Sequence, residues 1–276
     1  MCLYPRIIRN RKYTLSKKNK GVIPEMKDKR TEFIPIGCGK CIECCNQNKR
    51  QWQVRLNEEI KAFPVAQFVT LTFATDALDK LKNEVYDNEN IENEIGTLAV
   101  KRFLGRWRKK YGKSVKHWLI TELGHTGTER IHLHGIIWTD KPIEPIWQYG
   151  WVYVGTWVNN QTINYIIKYI TKIDNDHPWF KGKILCSPGL GKSYLERYNS
   201  KLNTFKGENT NENYITQNGN KLPLPIYLRN KIYTEDQKEQ LWINKLNKQE
   251  RFIMGERFDV STEEGEKLYI KALEYW

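Results

Sequence analysis

The stretch that decides the fold is Ile131-His132-Leu133-His134-Gly135-Ile136-Ile137-Trp138. It is rich in β-branched and aromatic residues, which predicts a buried β-strand over residues 131–138. Side chains alternate between the two faces of a strand, so His132 and His134 project from the same face. Two imidazoles placed in this way can share one divalent ion. Strand histidines also serve as ordinary packing or hydrogen-bonding residues, and that alternative stays open here.

A third ligand is expected from a neighbouring strand. Residues 117–122 form a second predicted strand, and Gly124 and Gly127 in the connection favour a hairpin. Glu122 ends that strand and can face the same side as the two histidines, although it can also be an exposed strand-end acid. Glu129 is a rival ligand that lies in the turn. A His, His, carboxylate set with open positions suits Mg²⁺ or Mn²⁺ beside a phosphate.

The remaining elements follow from periodicity and from breaker residues. Further strands are predicted over 67–73 and 150–157. Helices are predicted over 46–63, 98–111, 159 or 160 to 172, 235–247 and 262–275. Irregular or polar segments are expected over 1–35, 76–96, 177–200 and 203–220. The order β, α, β, β, β, α predicts an α+β domain with a mostly antiparallel sheet.

The helix that ends near residue 172 contains Tyr165-Ile166-Ile167-Lys168-Tyr169-Ile170-Thr171-Lys172. Tyr165 and Tyr169 are i, i+4 neighbours, and Lys168 and Lys172 each follow a tyrosine by three residues, so all four are expected on one broad face. An ordinary amphipathic helix would also show this pattern. A phenol is a nucleophile, however, and a nearby ammonium group eases its ionisation and neutralises a phosphate.

Cysteines cluster near the start of the chain. Cys38, Cys41 and Cys44 recur at x2 spacing, and Cys45 follows directly. With Cys2 added, the set Cys2, Cys38, Cys41 and Cys44 predicts a structural Zn²⁺ site of the Cys₄ type. The alternative is a reduced cluster that holds no metal. The isolated Cys186 is expected to be structural.

Charge and hydropathy narrow the class of partner. The 276 residues carry a formal net charge of +13, which favours binding to a polyanion such as nucleic acid, although AT-rich coding DNA would also enrich lysine. No apolar run is long enough to span a bilayer, and the first residues lack an apolar signal core. We therefore expect a cytoplasmic protein with no membrane partner, in a compartment where thiols stay reduced.

A loop of residues 189–193, Gly-Leu-Gly-Lys-Ser, imitates the end of a phosphate-binding loop. The full pattern needs a glycine at the position that Cys186 occupies, so an ATPase is rejected. The backbone amides of this loop and Lys192 could still hold a DNA phosphate.

Three blocks in this order resemble the HUH-type replication initiators, which are rolling-circle tyrosine endonucleases. They are residues 68–73, the His132-Leu133-His134 motif and the doubled Tyr-x-x-Lys at 165–172. The opening Met1-Cys2-Leu3-Tyr4-Pro5 and the block of residues 37–44 add a similarity to the replication proteins of gokushovirus-like microviruses. The resemblance covers most of residues 1–195.

The resemblance implies a function. One tyrosine would attack a phosphate at a single-stranded DNA origin, leaving a 5′-phosphotyrosine link and a free 3′-OH, and the second tyrosine would make the next cut. A metal held by His132, His134 and Glu122 would polarise the phosphate. Host DNA polymerase and helicase would be partners, in the bacterial cytoplasm. The implied fold is a palm-like antiparallel sheet flanked by helices.

The chain is expected to have three parts. They are a basic N-terminal segment with the cysteine knuckle (1–60), an endonuclease domain (61–200), and a polar linker with a helical extension (201–276). Two other functions remain open. The first is a relaxase or single-strand transposase of the same chemistry. The second is a non-catalytic, zinc-containing nucleic-acid-binding protein, against which the aligned tyrosines and lysines argue.

Overall fold

The computed structural model describes residues 2–17, 19–85, 90–124, 129–155, 157–172, 177 and 179–276. Within those ranges the strands are β1 (Arg6–Arg9), β2 (Phe33–Ile36), β3 (Gln67–Leu71), β4 (Lys116–Leu123), β5 (Ile131–Trp138), β6 (Val152–Gly155), β7 (Ile184–Cys186), β8 (Asn213–Ile215), β9 (Lys221–Pro223), β10 (Glu250–Ile253) and β11 (Glu256–Asp259). The α-helices are α1 (Ile42–Ala62), α2 (Thr75–Lys82), α3 (Ile91–Tyr111), α4 (Asn160–Ile166), α5 (Lys168–Thr171), α6 (Ile226–Ile232), α7 (Glu235–Asn247) and α8 (Glu263–Tyr275). None of the helices in these ranges combines the length and the apolar character that a membrane span requires.

The chain divides into two compact units. The first comprises Met1–Gln51 and Leu195–Trp276, and the second comprises Trp52–Tyr194. The division into functional segments at residues 60 and 200 stays a prediction. The predicted connection between β4 and β5 includes Gly127, which lies outside the described residues.

The second unit is built on a five-stranded antiparallel sheet with the order β6-β3-β5-β4-β7. Helices cover both faces, so the predicted α+β class with an antiparallel sheet flanked by helices is confirmed. The prediction of an irregular segment over 177–200 is wrong at β7, which pairs with β4 at the edge of the sheet. Three residues are too few for a strand period to be read from sequence.

Strand β5 lies in the middle of the sheet because both of its faces are apolar. Leu133 and Ile137 pack on one face with residues of α3, and Ile136 packs on the other with Trp118 and Ile163. Burial of each such side chain is worth about 1.5–3 kcal/mol. Gly135 is required between them, because a Cβ there would overlap the carbonyl oxygen of Trp118 on β4.

Two helices begin earlier than the sequence predicted. Helix α3 starts at Ile91 rather than at 98, because Ile95 and Ala99 continue its buried stripe, and α2 occupies part of the predicted loop over 76–96. Helix α1 starts at Ile42 rather than at 46 and ends at Ala62. Phe63, which was predicted on its buried stripe, lies beyond the helix end and is 49% exposed.

The predicted single helix that ends near residue 172 is two segments, α4 and α5. At Ile167 the hydrogen bonding tightens, since the N–H of Ile170 donates to the carbonyl of Ile167, an i to i+3 pattern. Ile163, Ile166 and Ile167 are all buried against the sheet. Helix α4 begins with a capping box between Asn159 and Thr162.

The first unit contains more regular structure than its sequence predicted. The irregular segment expected over 1–35 contains β1, which pairs antiparallel with β2, because the pairing of short strands depends on their partner. Helix α7 has the predicted bounds 235–247. Lys12 binds it through Asp236 at 2.8 Å and Glu239 at 2.6 Å.

The segment predicted as a polar, mobile stretch over 203–220 contains β8, which pairs with β9. Its polar residues are used inside the fold. Asn203 is fully buried, and its side-chain amide donates to the carbonyl oxygens of Asn211 at 2.7 Å and Asn213 at 2.9 Å. A buried amide that satisfies two carbonyls fixes the segment in place of an apolar core.

Candidate active site and metal clusters

The strand register places the two histidines of β5 beside the last carboxylate of β4. Glu122 is the direct partner of His132, and Ile120 is the partner of His134. Glu122 Oε2 lies 3.2 Å from His132 Nε2 and 2.8 Å from His134 Nε2. One ligand atom from each of the three residues lies within 4.8 Å of the other two. We call Glu122, His132 and His134 the Glu-His-His cluster.

Hydrogen bonds on the far side of each imidazole ring set its orientation. His132 Nδ1 lies 3.2 Å from the carbonyl oxygen of Arg130, and His134 Nδ1 lies 2.9 Å from Thr70 Oγ1. A carbonyl can only accept, so His132 Nδ1 carries a proton and its Nε2 presents a lone pair to Glu122. Two acceptors would then face each other unless the ring carries a second proton or a cation lies between them. This donor set therefore fits a divalent cation.

The carboxylate of the cluster is held in its charged form. Burial raises the pKa of Glu122, but hydrogen bonds from His132, His134 and Lys172 outweigh burial and hold that pKa well below its usual value. The ammonium group of Lys172 contacts Glu122 Oε1, on the side away from the histidines. An ionised oxygen ligand beside two imidazoles is available to Mg²⁺ or Mn²⁺ at neutral pH.

The rival ligand Glu129 does not belong to the cluster. Its Oε1 lies 3.6 Å from His177 Nε2. Among the residues that the structure describes, the Glu-His-His cluster and a group of four cysteines are the groups of three or more potential ligands close enough to hold one ion.

The two tyrosines lie against the cluster. The ring of Tyr169 stacks on His134, with the centroids 4.5 Å apart and the planes at 14°. Tyr169 Oη donates a hydrogen bond to Tyr165 Oη over 2.6 Å. Tyr165 is 49% exposed and packs edge-on against Phe68 on β3. The phenols remain one turn apart although the helix is interrupted between them.

The environments of the two phenols differ. Burial raises the pKa of Tyr169 far above its usual value, and the hydrogen bond with Tyr165 and the charge of Glu122 raise it further. Tyr169 is therefore neutral and donates its proton to the oxygen of Tyr165. That hydrogen bond would stabilise a phenolate on Tyr165.

The structure separates the two predicted lysines. Lys172 reaches Glu122 and lies 5.7 Å from the centroid of the Tyr169 ring. Lys168, at the start of α5, is exposed to solvent and is not part of the Glu-His-His cluster. The four residues predicted on one broad helix face therefore do not all meet at the cluster.

The four predicted zinc ligands also come together. The Sγ atoms of Cys2, Cys38, Cys41 and Cys44 all lie within 4.8 Å of one another. Cys2 and Cys41 are 3.8 Å apart at sulfur, and Cys38 and Cys44 are 4.0 Å apart. A tetrahedral ion with zinc–sulfur bonds of about 2.3 Å would separate its sulfurs by about 3.8 Å. The group can therefore bind a metal.

Backbone amides point at the sulfurs of this knuckle. The amides of Lys40 and Cys41 donate to Cys38 Sγ, at 3.4 and 3.3 Å, and lower the pKa of the Cys38 thiol to about 6. Burial raises the pKa of the Cys44 thiol to about 12. Cys45 Sγ lies 3.7 Å from the carbonyl oxygen of Lys40, outside the group, and Cys186 lies in β7.

The glycine-rich loop over 189–193 is not arranged to hold a phosphate. The amide of Gly191 donates to the carboxylate of Glu59 at 2.6 Å, and Arg55 Nε donates to the carbonyl oxygen of Leu190 at 3.0 Å. Because a buried carboxylate already occupies the amide that an anion would need, the proposal that this loop holds a DNA phosphate is wrong for Gly191. The loop instead ties the end of the second unit to α1.

Sequence reasoning did not identify Thr70 or Phe68 as parts of the site. Thr70 is the β3 partner of His134, and Phe68 stacks on the same imidazole with the centroids 6.4 Å apart. Both were noted only as strand residues. Their parity on the strand was visible in the sequence, but their register against β5 was not, so no signal in the chain alone placed them beside the histidines.

A family model for the replication-associated protein ORF2 matches residues 66–174. That range contains the Glu-His-His cluster and both tyrosines. The match supports a family of replication initiators and a role in replication initiation, and it is compatible with an endonuclease. No curated protein and no solved structure matches the chain.

Proposed function

We propose that this protein is an HUH-type replication initiator that nicks single-stranded DNA at an origin through a 5′-phosphotyrosine intermediate and later rejoins the ends. The observation that carries the proposal is the placement of two phenols against the Glu-His-His cluster. Tyr169 stacks on His134 at 4.5 Å, and its hydroxyl lies 2.6 Å from that of Tyr165. A purely structural stripe would not need its hydroxyls paired beside three potential metal ligands.

In the proposed reaction a phenol oxygen attacks the scissile phosphorus, and the bond from phosphorus to the 3′ oxygen breaks. The phenol gives up its proton, and the 3′ oxygen takes one and leaves as a hydroxyl. Tyr165 is the better placed first nucleophile, because it is half-exposed and Tyr169 donates a hydrogen bond to its oxygen. Tyr169 follows in the second cut. Lys172 contributes positive charge beside the phosphate, and Lys168 is proposed to contact the backbone of the same strand.

Glu122, His132 and His134 would hold Mg²⁺ or Mn²⁺, which when bound acts as a Lewis acid on the scissile phosphate. Thr70 and the Arg130 carbonyl keep both imidazoles turned with Nε2 towards that position. Cys2, Cys38, Cys41 and Cys44 would hold a structural Zn²⁺, because four thiols leave no open position for a substrate.

The proposed setting is rolling-circle replication of a gokushovirus-like microvirus in the cytoplasm of its bacterial host. Host helicase would open the duplex, and host polymerase would extend the free 3′-OH. The sheet of the second unit would then be the palm of an HUH endonuclease. A relaxase or single-strand transposase would share this chemistry, whereas a non-catalytic zinc-containing binding protein would bind DNA without forming a covalent adduct.

The test is cleavage of labelled single-stranded origin DNA with Mn²⁺. We expect Tyr165→Phe and Tyr169→Phe each to retain some cleavage, and the double variant to retain none and to form no adduct. Phe keeps the ring and its packing, so a loss reports the missing hydroxyl. Tyr149→Phe is a matched control, because its hydroxyl lies 3.2 Å from Arg106 and away from the cluster. Full activity in the double variant, or an adduct on another tyrosine, would refute the proposal.

A further inference from the structure

A groove of about 570 Å³ lies beside the paired tyrosines. Aromatic side chains form most of its wall, and Tyr165 belongs both to the groove and to the phenol pair. The residues that matter for the argument are Phe68, Tyr153, Gly155, Trp157, Gln161 and Tyr165. We call this set the aromatic groove.

The aromatic groove is open to solvent. Trp157 is 86% exposed, Tyr153 is 48% exposed and Tyr165 is 49% exposed. A contiguous patch of exposed apolar rings on a folded domain marks a binding surface more often than a scattered exposed residue does. The rings are also held in place. Phe68 packs edge-on against Tyr153 at 6.2 Å and against Tyr165 at 6.0 Å.

The aromatic groove is continuous with the Glu-His-His cluster. Phe68 stacks on His134 at 12°, so one ring separates the groove from a potential metal ligand. The floor is kept open at Gly155, where a Cβ would make only an ordinary contact with Phe68 at 3.6 Å. Gln161 adds an exposed carboxamide, a group that can donate to and accept from the edge of a base.

We propose that the aromatic groove is a base-stacking subsite, which holds one nucleobase of single-stranded DNA next to the phosphate that Tyr165 attacks. The inference rests on the proposed function, because the shared Tyr165 fixes which nucleotide the groove receives. Every base has a π face, so an aromatic wall holds a base without selecting its identity. The net charge of +13 favours a polyanionic strand over an acidic or neutral surface patch of a second copy.

The experiment measures binding rather than cleavage. A labelled short oligodeoxynucleotide is titrated against the Tyr165→Phe/Tyr169→Phe protein, which keeps both rings, and each nucleotide is replaced in turn by an abasic one. We expect Trp157→Ala in this background to weaken binding about tenfold, since one stacked base contributes roughly that factor. At one position the abasic nucleotide should weaken binding to a similar degree, and it should cause no further loss in the Trp157→Ala protein.

Two more variants sharpen the result. Trp157→Phe should restore most of the binding, because it keeps an aromatic face. Trp276→Ala is the matched control, since Trp276 is 49% exposed and lies outside the aromatic groove. It should bind as tightly as the parent.

The proposal is overturned if Trp157→Ala and Tyr153→Ala both bind the oligonucleotide within about twofold of the parent, or if no abasic position shows coupling to Trp157. It is also overturned if Trp157→Ala changes only the self-association of the protein. Adduct formation by the wild-type chain without such coupling would leave the nicking function standing and remove the subsite. Coupling without any adduct would keep the subsite and remove the nicking function.

Discussion

Replacing Thr70 with valine should weaken metal binding at the Glu-His-His cluster without disturbing the sheet. Valine has the same shape and favours strands, so β3 should keep its pairing. The change removes the hydroxyl that lies 2.9 Å from His134 Nδ1 and leaves that nitrogen without its partner. The imidazole then loses the contact that keeps Nε2 turned towards Glu122.

The size of the effect follows from the position of the ring. His134 is only 8% exposed, so water cannot easily replace the lost hydroxyl. An unpartnered buried polar atom costs about 1–3 kcal/mol. Loss of a group that orients a metal ligand weakens affinity or activity by about 10- to 100-fold. That factor corresponds to about 1.4–2.8 kcal/mol, so the two figures agree.

The assay is nicking at increasing Mn²⁺, together with direct titration of Mn²⁺ by calorimetry. We expect Thr70→Val to need about 10- to 100-fold more Mn²⁺ for half-maximal activity and to approach the parental rate at saturation. Thr70→Ser should behave as the parent. Thr72→Val is the matched control, because its hydroxyl donates to the Trp151 carbonyl at 2.8 Å and touches no histidine. An unchanged Mn²⁺ requirement in Thr70→Val would show that Thr70 does not orient His134.

Three further outcomes are expected. His132→Ala or His134→Ala should abolish nicking and leave single-strand binding largely intact, as measured by anisotropy on the same oligonucleotide; unchanged cleavage in both variants would remove the metal site. The purified chain should carry about one zinc, bound by thiolates, and Cys38→Ser should lose it and expose Met1–Gln51 to proteolysis while the Mn²⁺-dependent cleavage persists; metal analysis that finds no zinc on protein prepared without chelator would contradict this. Burial lowers the pKa of His117, so below its ordinary value of 6.5 the unfolded chain takes up a proton that the folded chain does not, and stability should fall as pH drops from 6.5 towards the folded pKa. The slope from this group is at most about 1.4 kcal/mol per pH unit, and urea unfolding of His117→Gln should show a shallower loss over the same range; identical slopes would mean that His117 does not titrate differently on folding.

The elements that the sequence predicted best are those whose pattern is long and regular. Strand β5 has the predicted bounds 131–138, and α7 has the predicted bounds 235–247. The short strands β1 and β7 were not predicted, because three or four residues carry no readable period and pair only when a partner strand supplies the hydrogen bonds. The early start of α3 was missed because polar residues hide the first turns of its buried stripe.

The candidate site was predicted in its ligand types but not in its support. His132 and His134 follow from strand alternation, and Glu122 follows from its place at the end of the neighbouring strand. The contact between Thr70 and His134 depends on strand register, which no local pattern specifies. Lys168 and Lys172 looked equivalent on an ideal helix, and the tighter turn at Ile167 helps to separate them. The roles of all these residues stay predictions until nicking is measured.

The interrupted connectivity of the first unit bears on how the chain is made. Its two parts are far apart in sequence, since the Lys12–Glu239 ion pair joins residues 227 positions apart. The second unit closes at Tyr194 and has its whole five-stranded sheet by then. Domains generally fold as units during synthesis. The half of the protein that carries the histidines and tyrosines can therefore be folded on the ribosome before the rest of the first unit exists, and the contacts around Lys12 must form last.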